Sequence, residues 1–156
     1  MTMKTSDDLQ KYLNQKDLDA KLLNLDSPVR TVEEAANSIN TRKDKIIKSL
    51  VFITDEKPVL SIINGENEVS SNKIKEEFNT ETCNLASPKK VKEITGYPVG
   101  SVPPISLEIP KIVDNQVVQK NYVYGGGGSE HHLLKIAPGD ILLETKSLIS
   151  DIKNKK

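Results

Sequence analysis

One cysteine, no net charge and no long apolar run are the conspicuous shortages of this chain, and each closes off a class of protein. A lone Cys83 cannot close an intramolecular disulfide, which excludes a disulfide-stapled secreted scaffold and points to a reducing compartment. With no positioned partner visible in the sequence, Cys83 reads as a small buried hydrophobe rather than a nucleophile. The opening residues MTMKTSDDLQKYLNQK hold no apolar leader, and no run approaches the roughly 20 apolar residues of a membrane span. The expected location is therefore the cytoplasm, with no membrane partner. Lys plus Arg and Asp plus Glu both number 22, so no global positive charge announces a nucleic acid, and DNA is not expected. A polyanion would have to meet a local patch. Arg42, Lys43, Lys45 and Lys48 form one such patch and Lys89, Lys90 and Lys92 another, although charge runs of this kind are ordinary on solvated faces.

Several chemical motifs are missing as well. The run GGGG at 125–128 is followed by no G-K-[ST], and its spacing does not give G-x-G-x-x-G before a helix, so both phosphate-loop patterns fail. Such a run is either a permissive turn or a place where backbone must approach another group closely. His131 and His132 are the only histidines, and neighbouring strand residues point to opposite faces, so a shared metal is not expected. No Ser-His-Asp spacing can be assembled, and no cofactor is implied.

What is present has the size of one domain, 1–156, ending in a charged tail from about 145. Helices are expected at Ser6 to Lys16, after the T-x-x-E box of Thr31 and Glu34, after Ser70 or Ser71, over SPKKVKEITG (87–96) and from about Pro138. Strands are expected over AKLLNL (20–25), 46–54, VLSIIN (59–64), TCNLA (82–86), IPKIVD (109–114), YVY (122–124) and HHLLKI (131–136). The irregular alternation, with a hairpin at 55–58, argues for an α+β fold. Its sheet would be mixed, mostly antiparallel, curved or barrel-like, and flanked by helices.

Two stretches stand out within that frame. In DKIIKSLVFIT (44–54) both faces are apolar apart from Lys48 and Ser49, which suggests a strand covered on both sides with an ammonium inside it. A lysine there either snorkels to water or serves a ligand, because burying an unpaired charge costs several kcal/mol. GYPVGSVPP (96–104) has the Gly and Pro content of a rigid loop. It either connects a helix to a strand or presents main-chain N–H groups to a carbonyl or oxyanion.

Four segments together, SPVRTVEEAA (27–36), IIKSLVF (46–52), EITGYPVGSVPP (93–104) and GGGG…LLKIAP (125–138), resemble the YbaK/ProX aminoacyl-tRNA deacylases, relatives of the editing domain inserted in bacterial prolyl-tRNA synthetases. The resemblance implies hydrolysis of the ester between a wrong small amino acid (Ala, Cys, Ser or Thr) and the 3′ end of tRNA, with tRNA(Pro) as the carrier. It implies catalytic roles for Lys48 and for Gly100 in the G-x-x-x-P loop. Substrate-binding roles fall to Ser101, Val102, Pro103, Pro104, Gly125, Gly126 and His131. The partners are then the aminoacyl-tRNA 3′ end and an aminoacyl-tRNA synthetase. A non-catalytic module of the same fold that docks a tRNA end or a synthetase is the alternative. The glycine run followed by SEHH departs from the family's compact turn, which bears on pocket size and specificity.

Overall fold

The computed structural model describes residues 3–143 and 146–154. Polar caps set its helices. α1 (Ser6–Lys16) begins where Thr5 accepts the Asp7 amide and Asp8 accepts the Thr5 amide, and it buries Leu9 and Leu13. α2 (Val32–Ser38) is capped by Thr31, whose hydroxyl accepts the Glu34 amide; the Glu34 carboxylate takes the Arg30 amide, one residue outside the expected box. Ser70 caps α3 (Ser71–Phe78). α4 (Pro88–Thr95) has Ser87 as cap, Pro88 as first residue and a left-handed Gly96 at φ 83° past its end, so SPKKVKEITG carries complete helix punctuation. α5 (Pro138–Leu142) is a single short turn after Ala137.

Eight strands form two sheets among the described residues. β1 (Lys21–Asn24), β7 (His132–Ile136) and β6 (Val123–Gly126) make a three-stranded antiparallel sheet in that order. β4 (Cys83–Leu85), β2 (Ile47–Thr54), β3 (Lys57–Asn64), β5 (Lys111–Asp114) and β8 (Ser147–Ser150) make the larger sheet. The β2–β3 hairpin turns on Asp55 and Glu56 at φ 43° and 71°, the positive values that a two-residue turn between right-twisted strands requires. Asp55 accepts the Thr82 and Glu81 amides, which hold its carboxyl below the usual carboxylate range.

Four strand pairings are antiparallel and two, β3–β5 and β5–β8, are parallel, so the sheet is mixed and mostly antiparallel as expected. The barrel-like form of that expectation is corrected. β4 and β8 are the two edges of the larger sheet, and its link to the smaller sheet is the isolated Ile46–Tyr124 bridge. The charged tail also differs from its sequence reading. β8 pairs with β5, Ile152 is fully buried, and the Lys153 ammonium lies 3.0 Å from the buried Asp114 carboxylate. Charge at 151–156 hid this strand, whose Leu148 packs on the cluster of Phe52, Ile63, Ile74 and Ile112, which Ile152 just beyond the strand joins. A separate cluster of Ala35, Ala36, Ile46, Tyr124 and Leu133 joins α2 to the smaller sheet. Beside it, where the two sheets diverge, lies the site.

Candidate active site

The loop after α4 is built as a fixed turn. Ser101 donates its amide to the Pro98 carbonyl at 3.0 Å, closing a four-residue turn whose third member, Gly100, has φ 87°. That position favours glycine, because a Cβ is strained there whatever space surrounds it. Two further bonds tie the loop down. Gly128 donates its amide to the Ser101 carbonyl at 3.0 Å, and the Lys111 ammonium donates to the Pro104 carbonyl at 2.9 Å and to the Ile141 carbonyl at 2.8 Å.

The glycine run fits against this loop from the other side. A Cβ on Gly126 would stand 2.2 Å from the Val102 carbonyl oxygen, and one on Gly127 would stand 2.7 Å from the His132 backbone. Gly125 has the Ile47 side chain 3.1 Å from the equivalent position, and Gly128 combines φ 91° with the Ser6 backbone at 2.9 Å. Close backbone approach is therefore what the run serves, and the approaching backbone is the protein's own.

A cavity of about 660 Å³ opens where these pieces meet, lined by Lys48, Ser49, Gly100, Ser101, Val102, Gly125 and Gly126 among others. The middle of β2 is half-buried at Lys48, Ser49 and Leu50 because the cavity uncovers it, whereas Ile46, Ile47, Val51 and Phe52 are buried. Lys48 is thus not enclosed. Its side chain is 28% exposed and its ammonium lies 3.9 Å from the carboxylate of Glu68, itself 73% exposed, a contact worth well under 1 kcal/mol. Its ammonium is open to the cavity and weakly held by Glu68, so it is available to a ligand there.

Pro103 and Pro104 are buried beneath the loop and do not line the cavity; Pro104 packs toward Gly125 and offers its carbonyl to Lys111. His131 is exposed and outside the lining, its amide donated to the Ser129 hydroxyl, which also meets Nδ1 of His132 at 2.6 Å. Ser49, which breaks the apolar row beside Lys48, lines the cavity, and its buried hydroxyl has no hydrogen-bond partner among the described residues. Other lining residues went unmarked in the sequence. At the rim Arg30 makes two bonds to Glu130, 3.0 and 3.2 Å, across 100 residues of sequence that no local pattern connects. A second cavity of about 590 Å³, lined by Tyr12, Lys16, Ile94 and Glu108 among others, contains none of the residues marked from sequence.

Comparison with known proteins agrees with this geometry. The proline–tRNA ligase of Caldicellulosiruptor saccharolyticus is 32% identical over 127 residues, 81% of this chain and 22% of the ligase. That of Latilactobacillus sakei is 35% identical over 109 residues, 68% of this chain and 19% of the ligase. The chain spans about a fifth of the length of the curated relatives it matches. A crystal structure described as a candidate trans-editing enzyme for prolyl tRNA synthetase superposes with a TM-score of 0.89 at 25% identity, covering 99% of this chain and 100% of that one. The aminoacyl-tRNA editing domain family matches residues 26–142, a span that takes in the strand of Lys48, the turn of Gly100 and the glycine run. The chain belongs to the aminoacyl-tRNA editing domain family.

Proposed function

We propose that the protein is a trans-acting deacylase that hydrolyses the ester joining a wrong small amino acid, Ala, Cys, Ser or Thr, to the 3′ end of tRNA, with tRNA(Pro) as carrier and the cytoplasm as its place of work. The observation that carries the reading is the meeting of Lys48, the left-handed turn at Gly100 and the Gly125–Gly126 backbone around one cavity of ester-binding size. An aminoacyl ester is already activated, so positioning and oxyanion stabilisation suffice and no acyl-enzyme is required. Water adds to the ester carbonyl carbon, the carbon–oxygen bond to the ribose breaks, and the proton lost by water ends on the ribose oxygen, giving free amino acid and an intact tRNA end.

In this reaction Lys48 binds the terminal phosphate or the carbonyl end as a point charge. The turn at Gly100 aims main-chain N–H groups at the developing oxyanion, and Ser101, Val102, Gly125 and Gly126 form walls that limit the size of the amino acid. Ser49 offers its hydroxyl to the bound ester. Pro103 and Pro104 act from beneath by stiffening the loop. Similarity to proline–tRNA ligases supports proline tRNA as carrier and a synthetase as the partner that the editing step follows.

The test is a panel of tRNA(Pro) charged with Ala, Cys, Ser, Thr or Pro, followed for release of the amino acid. Hydrolysis of at least one of the first four, with prolyl-tRNA spared, is the expected result. Tight binding of the charged tRNAs with no turnover of any would instead make the protein a docking module.

A further inference from the structure

Two ammonium groups converge on one exposed tyrosine outside the cavity. Lys45 Nζ lies 4.6 Å and Lys135 Nζ 4.4 Å from the centroid of the Tyr122 ring, which is 36% exposed and packs edge-on to Tyr124 at 5.6 Å. Lys135 also stands directly across the β1–β7 ladder from Lys21. Like charges facing each other across a ladder repel, and among the described residues no carboxylate comes within 4.0 Å of Lys21, Lys45 or Lys135. Neighbouring cations are answered within the fold: Lys120 and Arg42 pair with Asp44, and Lys43 with Glu33. The three unanswered lysines leave a concentrated positive surface on a chain of zero net charge.

Its place in the fold gives it meaning. Gly126 and Leu133, opposite each other in the β6–β7 ladder, line the cavity, and Tyr124 and Lys135 are the next pair along the same face, about 7 Å on by strand geometry. We propose that the Lys21–Lys45–Lys135 surface around Tyr122 docks the phosphate backbone of the RNA acceptor arm whose terminal ester occupies the cavity. This rests on the editing reading for the identity of the RNA. The tyrosine ring restrains Lys45 and Lys135, so less side-chain freedom is lost when phosphates bind. The Lys89–Lys92 run on α4, the other basic stretch, has no such arrangement with an aromatic ring among the described residues.

The experiment is filter binding of uncharged tRNA(Pro) over a range of salt, with wild type, Lys45→Glu, Lys135→Glu, the exposed Lys21→Glu and, as an equal charge change elsewhere, Lys89→Glu. Each reversal in the patch is expected to weaken binding about tenfold and to lower the slope of log affinity against log salt by about 1, with Lys89→Glu near wild type. The aminoacyl-adenosine of whichever amino acid the wild type releases from tRNA(Pro), which lacks the arm, should be hydrolysed by the patch variants at the wild-type rate. Absence of tRNA binding by wild type, unchanged affinity in folded patch variants, or an equal loss in Lys89→Glu would overturn the proposal; unchanged affinity would leave the surface to an acidic protein partner. Patch-dependent tRNA binding by a wild type that cleaves no ester would refute editing and leave the docking surface standing.

Discussion

Gly126 has no room for a side chain. The Val102 carbonyl oxygen occupies the place of its Cβ, so Gly126→Ala must push the 97–104 loop away from β6. The expected cost is about 1–3 kcal/mol in chemical denaturation, the range of overpacked sites, together with slower ester hydrolysis because the moved loop is the one that carries Gly100. From sequence the glycine run was open between turn and close approach; only the fold shows that the chain approaches itself. Lys48 and Ser49 were legible because they break an apolar row, but the inference that a covered lysine is an unpaired buried charge was not sound. The cavity leaves Lys48 part-exposed beside Glu68. Lys48→Ala should therefore change stability by less than about 1 kcal/mol. Among the described residues the buried lysine is Lys111, 1% exposed, which in PKIVD looks like any outward strand residue. Its ammonium reaches the carbonyl of Pro104 in the preceding loop and that of Ile141, thirty residues on.

At the scale of elements, caps and turn residues were the readable part, since Thr31, Ser70 and Ser87 act within three residues of themselves, although the cap of α1 is Thr5 rather than the Ser6 at which that helix was expected to begin. Loop 97–104 depends on long-range support, and Lys111→Met tests it. Removing the ammonium leaves the Pro104 and Ile141 carbonyls without that donor, so a loss of about 2–4 kcal/mol is expected from urea unfolding. The strand β8 was hidden by composition and is held by charge. Asp151 accepts the Lys153 amide and then the Lys153 and Lys73 ammonium groups, which bring its carboxyl down from 3.8 to about 2. Burial opposes the charge on Lys153, but its bonds to Asp114 and Asp151 outweigh that and raise it above 10.5. A depressed carboxylate stabilises above its unfolded value and loses that contribution as pH falls through its folded one. The Asp151 contribution is thus complete above about pH 4 and lost toward pH 2, while that of Lys153 is complete below 10.5 and lost at more alkaline pH. Protection factors across 147–152, corrected for the intrinsic pH dependence of amide exchange, should fall between pH 5 and pH 2 more than those in β3; an equal fall would contradict a pH-dependent dock.

For the whole molecule, alternation of helices and strands was enough for the α+β class, and the four motif segments in order were enough for the family. The open form of the two sheets was not readable, because the β3–β5 and β5–β8 pairings join strands far apart in sequence and leave no local pattern. Equal counts of acidic and basic residues likewise concealed a surface on which three lysines stand unanswered, since net charge carries no position. In the described residues no helix is long and apolar enough to cross a membrane. The central claim is that the cavity edits esters through Lys48. Its most direct measurement is the single-turnover hydrolysis, by wild type and by Lys48→Ala, of whichever of the Ala-, Cys-, Ser- and Thr-charged tRNA(Pro) the wild type cleaves fastest, with both proteins shown folded by the same melting curve. A loss of at least about 100-fold in the variant, the scale of removing a charge-stabilising group, is expected. Equal rates in the two proteins would contradict it.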